Sequence, residues 1–117
     1  MDSVCGIRVH NMGAFGMTFN LHFANGAFTH ACDNSFAEGT CMTISSNNRG
    51  SYFPLDFDTL DGLQVWPSAD IQSGVTNHQA GDNCIFDSHS SYIGVYNISG
   101  GCWNPSFSYQ GVSTDPE

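Results

Sequence analysis

The stretch Phe15-Gly16-Met17-Thr18-Phe19-Asn20-Leu21-His22-Phe23 decides the fold class of this chain. Phe15, Met17, Phe19, Leu21 and Phe23 recur at every second position, with Gly16, Thr18, Asn20 and His22 between them. Successive side chains of a strand point to opposite faces, so this period turns the apolar set toward a core and the polar set toward water. A helix would scatter the same residues around its circumference. The expectation is a half-buried antiparallel strand with Phe15, Phe19, Leu21 and Phe23 in the core.

Working outward, Ile7 and Val9 alternate with Arg8 and His10 and predict a shorter strand, with Asn11-Met12-Gly13 as the turn into the next. On the other side, Asn25-Gly26 tolerates the positive φ of a tight hairpin, which would pair the central stretch with residues 27–32. Further strands are expected at 41–45, 63–66, 74–76, 83–86, 92–98 and 107–112. Turn residues separate them, among them Asp61-Gly62, Gly81-Asp82 and Gly100-Gly101. Seven to eight short strands at this spacing predict a small antiparallel β-sandwich, with a small β-barrel as the runner-up. One domain, 1–112, would be followed by a polar tail, 113–117.

Composition limits the partners. The chain has no lysine, and Arg8 and Arg49 are its only cationic residues apart from histidine, against eleven Asp and Glu and a net charge of −9. Nucleic acid and anionic membranes are both held by Lys and Arg, so neither suits this surface. Solubility falls to neutral Ser, Thr and Asn, which fits a secreted protein. The start, Met-Asp-Ser-Val-Cys, carries no signal-peptide pattern, and no apolar run approaches the length of a membrane span. Asn97-Ile98-Ser99 forms a glycosylation sequon.

Five cysteines without a Cys-x-x-Cys pair favour disulfides over a zinc or redox centre. The intervals suggest Cys32 with Cys41 and Cys84 with Cys102, so the sandwich is expected to be disulfide-stapled. Cys5 is then left over, either as a small buried hydrophobe or as an intermolecular bridge that leaves an oligomer open. Pairings that use Cys5 remain as alternatives.

Among the polar residues, Asp56, Asp58 and Asp61 precede Gly62 in an oxygen-rich turn of the kind that holds calcium. A solvated acidic bend is the plainer alternative, because the position of a bidentate Glu is Pro67. His10, His22, His30, His78 and His89 match no zinc signature. No hydrolase, metalloprotease, nucleotide or dinucleotide motif is present, so an enzyme is not expected. No cofactor beyond calcium is implied.

Trp66 beside Pro67 and Trp103 near Pro105 stand at expected strand ends, where loops would present them. Sugars stack on aromatic rings while amides and carboxylates hold their hydroxyls, so Trp103, Asn104, Tyr92, Tyr96, Asp87 and Trp66 are the candidate ligand-binding residues. The alternative for both tryptophans is the core. The leading expectation is a secreted, lectin-like module that binds a glycan or glycoconjugate in defence or adhesion. A membrane-active small sandwich toxin, with Tyr52 and Phe53 at a loop tip, is the second reading. A structural or self-assembling extracellular protein is the third.

Overall fold

A computed structural model describes residues 1–28, 35–46 and 57–114. Among them run nine strands: β1 (Ser3–Val4), β2 (Gly6–Asn11), β3 (Met17–Phe23), β4 (Cys41–Ser45), β5 (Gln64–Ile71), β6 (His78–Gln79), β7 (Cys84–Phe86), β8 (Tyr92–Gly101) and β9 (Asn104–Thr114). One helical turn, α1 (Phe57–Leu60), precedes β5. The strands form a five-stranded sheet in the order β1-β7-β5-β3, with β6 also on β5, and a four-stranded sheet in the order β4-β2-β8-β9.

The all-β expectation holds, and the opening stretch behaves as its period requires. β3 alternates between buried Met17, Phe19, Leu21, Phe23 and partly exposed Thr18, Asn20, His22. Ile7 and Val9 from β2, Val65 from β5, Phe86 from β7 and Tyr96 and Ile98 from β8 complete a core shared by both sheets, an arrangement compatible with a β-sandwich. Each such ring or branched side chain contributes about 1.5–3 kcal/mol on full burial. Phe19 meets Phe36, and Phe23 meets Phe86, edge to face.

The topology departs from a purely antiparallel sandwich. β1 runs parallel to β7, and β2 runs parallel to β8, so both sheets are mixed. β2 and β3 are not a hairpin: β2 pairs with β4 and β8, whereas β3 pairs with β5. The segment between them crosses from one sheet to the other. Buried Asn11 holds that crossing, donating from Nδ2 to the carbonyls of Phe15 and Phe36 and accepting from the Gly13 N–H at 3.0 Å. His10 and His22 therefore lie on different sheets.

Asn25-Gly26 does turn the chain, with Gly26 at φ 91 and its N–H donating to the Phe23 carbonyl. Its return is described only as far as a bridge between His22 and Phe28, and most of the expected partner segment lies outside the described residues. Residues 74–76 form no strand; the short β6 follows them. Gly100 and Gly101 belong to β8, and the turn falls on Cys102 and Trp103. β9 reaches Thr114, two residues into the expected tail.

β5 is longer than its sequence suggests, because Pro67 does not end it. The strand pairs with β7 at Gln64 and Val65 and with β6 at Ser68 and Ala69, and Pro67 sits between those partners. A proline lacks the N–H that a ladder needs. Here the missing donor coincides with the change of partner, so the strand runs on to Ile71.

Cys41, Cys84 and Cys102 carry free thiols, and Cys5 is buried. Cys32 lies outside the described residues. The expected Cys84–Cys102 bridge is not formed, and the register explains why. A Cβ on Gly94 would stand 3.0 Å from the Cys84 sulfur, and Cys102 comes eight residues further along the chain, about 26 Å at strand rise. A disulfide needs Cα atoms within about 7 Å.

Candidate functional site on the outer face of the five-stranded sheet

Antiparallel pairing fixes which side chains share the outer face of β3 and β5. Thr18 faces Asp70, Asn20 faces Ser68, and His22 faces Trp66, while Gln79 of β6 stands beside Ser68. Cross-strand neighbours at these spacings interact directly. His22 Nε2 and Ser68 Oγ lie 2.8 Å apart, Asn20 Nδ2 donates to Asp70 Oδ2 at 3.3 Å, and Trp66 Nε1 donates to Gln79 Oε1 at 2.9 Å. At the near end Asn83 donates to Gln64 at 2.9 Å. The face is a lattice of neutral hydrogen-bonding groups around one carboxylate.

Across it runs a row of rings. His22 lies between Phe28 and Trp66, with centroids 6.0 and 6.1 Å away and planes inclined by 25° and 13°. Phe28, 57% exposed, ends the row. The row is apolar enough to depress ionisation at its centre: burial holds the His22 imidazole below its ordinary pKa, and the charge of Asp70 opposes that shift.

About 13 Å along β3 from the rings, at Thr18, the face deepens. A depression of about 340 Å³ is lined by Met17, Thr18, Ser35, Asp70, Ile71 and Gln72. Asp70 lines this depression, and its second oxygen accepts from the Asn77 N–H at 2.8 Å. The loop from 72 to 77 that wraps the carboxylate holds two non-glycine residues at positive φ, Ser73 at 58 and Asn77 at 53. Asn tolerates that region locally, Ser less readily, and such conformations persist only where surrounding bonds impose them. Here Gln72 donates to the Gly16 carbonyl and Val75 to the Cys102 carbonyl, each at 2.9 Å. The Gln72 side-chain amide lies against Gly16, where a Cβ would displace it.

The structure does not gather the ligand-binding residues expected from sequence. Trp66 belongs to this face, but Tyr96 is wholly buried. Its hydroxyl donates to the Asp82 carbonyl at 2.7 Å and lies 3.7 Å from the Cys84 sulfur, and burial pushes both groups upward from their ordinary pKa values. Trp103, 75% exposed, and Asn104 stand at the β8–β9 turn. Tyr92, at the other end of β8, is about 30 Å from that turn at strand rise. Asp87 is near Tyr92, and its carboxylate accepts from the His89 N–H.

The calcium turn also resolves in part. Asp56 lies outside the described residues and Asp58 falls on α1. Asp61 accepts from the N–H and hydroxyl of Ser88 at 2.7 and 3.0 Å, and Gly62 takes φ 88, so the pair forms a bend that clips two loops together. Among the described residues no group of three metal-ligating side chains converges.

His22, Phe28, Asn20, Ser68, Asp70 and Gln79 were outside the sequence-based set. Their signal was the polar half of the β3 alternation and its counterpart Trp66, Ser68, Asp70, which is hidden by Pro67. No family model, curated protein or solved structure matches this chain.

Proposed function

We propose that this chain is a recognition module for neutral glycans and that it binds them on the outer face of the five-stranded sheet. The observation that carries the reading is the ring row Phe28-His22-Trp66, underpinned by buried Ser68 and sharing one face with Asn20, Gln79 and the oriented carboxylate of Asp70. Apolar faces of sugars lie against aromatic rings, and their hydroxyls require paired donors and acceptors. The depression at Thr18 and Asp70 and the ring row lie about 13 Å apart along β3, so they suit two non-adjacent residues of one oligosaccharide. Among the described residues of this face no Lys or Arg accompanies Asp70, which favours uncharged sugars over sulfated or sialylated ones. Among the described residues Asp70 is the one carboxylate lining the depression, whereas glycoside hydrolysis uses two, so binding without cleavage is the reading adopted.

The test is an array of neutral oligosaccharides probed with the wild-type chain, Trp66→Ala and Asp70→Asn. Wild type should retain a related set of sugars, and each variant should lose about tenfold or more in affinity, the equivalent of one good stacking or hydrogen-bonding contact. Both side chains face outward, so circular dichroism should be unchanged. A blank array for wild type, or full retention by both variants, overturns the proposal.

A further inference from the structure

The outer face of the four-stranded sheet carries a row of side chains that glycan recognition does not use. Cys41 of β4 stands opposite His10 of β2, His10 stands beside Asn97 of β8, and Asn97 stands opposite Ser108 of β9. The row lies on the outer face, because Ile7 and Val9 on β2 and Tyr96 and Ile98 on β8 turn the other way into the core. The order across the sheet is therefore thiol, imidazole, amide, hydroxyl.

The ladder brings the first two of these groups close. Ser46 donates to the Cys5 carbonyl and Asn11 to the Thr40 carbonyl, each at 2.9 Å, which marks the odd-numbered positions of β2 as the hydrogen-bonded ones against β4. His10 and Cys41 thus form a non-hydrogen-bonded pair, the kind with Cα atoms about 4.5 Å apart and the closer side chains. The parallel strand β8 holds Asn97 on the other flank of the imidazole. Exposure also singles out this cysteine: Cys41 is exposed, Cys5 and Cys84 are buried, and Cys102 packs against the core. The row holds no carboxylate. Arg8, two residues back along β2, is the charged group of the described strands on this face, and Glu38 stands in the turn before β4.

A nucleophile, a neighbouring base and a third group set against the base are the parts by which a weak thiol is activated. We propose that Cys41 is a reactive thiol whose proton passes to His10, with Asn97 positioning the imidazole, and that it exchanges with low-molecular-mass disulfides. An open sheet face suits that reaction, which asks only for access to the sulfur and a proton acceptor. The Cys41 Sγ attacks one sulfur of the disulfide, and the S–S bond of the reagent breaks. A new S–S bond joins Cys41 to one half, and the other half leaves as a thiolate that takes the proton back from the imidazolium. Electrons and protons balance between the two reactants. The other described cysteines are buried or packed on the core, so none is placed to resolve the product and a mixed disulfide remains on Cys41.

The experiment is reaction of the folded full chain with oxidised glutathione across the range in which imidazoles titrate, about pH 5 to 8, and on to about pH 9, with the modified residue located by peptide mapping. Wild type should gain glutathione first on Cys41, about tenfold faster at neutral pH than the same cysteine in the urea-unfolded chain. Its rate should level off within the imidazole range, where an ordinary thiol keeps climbing toward about pH 8.5. His10→Gln should lose both the acceleration and the levelling, and Asn97→Ala should lose part of the acceleration, each with unchanged circular dichroism. Earlier modification of another cysteine, a folded rate no higher than the unfolded one, or a profile for either variant equal to wild type overturns the proposal. Should the variants fail to fold, a wild-type rate that climbs past the imidazole range without levelling overturns it equally.

Discussion

The β3–β5 pair and the β8–β9 pair share one alternation, yet they present different outer faces. Opposite Asn20 and His22 stand Ser68 and Trp66, and the face closes into hydrogen bonds and stacked rings. Opposite Asn97 and Ser99 stand Ser108 and Ser106, and Gln110 folds back onto Ser108 through its side-chain amide. The inner halves are alike, with Phe19, Leu21 and Phe23 matched by Tyr96, Ile98 and the half-buried Phe107 and Tyr109. The alternation builds the fold from one set of residues and leaves the other set free to differ between the two sheets.

The heaviest blow to this comparison falls on the shared inner side. Phe19 is fully buried, with the Phe36 ring 6.1 Å away. Phe19→Ala should cost about 3–5 kcal/mol, the usual range for removing a core ring. Against a total stability of about 5–15 kcal/mol, that is a severe loss. Equilibrium urea unfolding measures it, and a cost below about 1 kcal/mol would mean that the inner face of β3 is not the core.

The residues that made this prediction legible in sequence are the ones where a single physical signal acts alone. Period two placed Phe19 without any knowledge of its partners. Sheet membership was not, because Ile7 and Val9 carry the same alternation whether β2 pairs with β3 or crosses to another sheet, and Asn11 decides between them through distant carbonyls. Ser68 and Asp70 were hidden because a proline ordinarily ends a central strand, and only the change of partner from β7 to β6 makes Pro67 harmless. Tyr96 looked like a ligand-binding residue because a tyrosine suits both a core and a sugar site. Its burial depends on Cys84 and Asp82, which belong to other elements. The separation of Cys84 and Cys102 was not legible for a related reason, since their spacing says nothing about the ends of β8.

A smaller effect sharpens the contrast between the two outer faces through pH. Burial holds the folded-state pKa of His22 below its ordinary value, with Asp70 opposing the shift. The unfolded chain takes up the proton at about pH 6.5. Above that pH both states are neutral there and the contribution is fully present. As pH falls toward the depressed folded pKa the unfolded state binds more protons, and this part of the stability is lost. His22→Gln should flatten that portion of the profile, seen as a smaller drop in urea midpoint than wild type shows between about pH 7.5 and about pH 5. Identical drops would mean that the ring row does not bury the imidazole.

The smallest expected effect is at Trp103, and it bears most directly on whether the two sheets are functionally separate. The indole is 75% exposed at the β8–β9 turn and does not line the Asp70 depression. Trp103→Ala should change stability by less than about 0.5 kcal/mol, as exposed substitutions do. It should leave glycan binding intact under conditions where Trp66→Ala loses it. One link makes the measurement worth having: the Cys102 carbonyl beside Trp103 accepts from Val75, in the loop whose Asn77 holds Asp70. If the indole contributed to binding through that loop, Trp103→Ala would weaken sugar affinity in step with Asp70→Asn. The binding surface would then wrap around the end of the sandwich instead of lying on one face. Unchanged affinity keeps the proposed recognition with β3 and β5 and separates the β8–β9 turn from it.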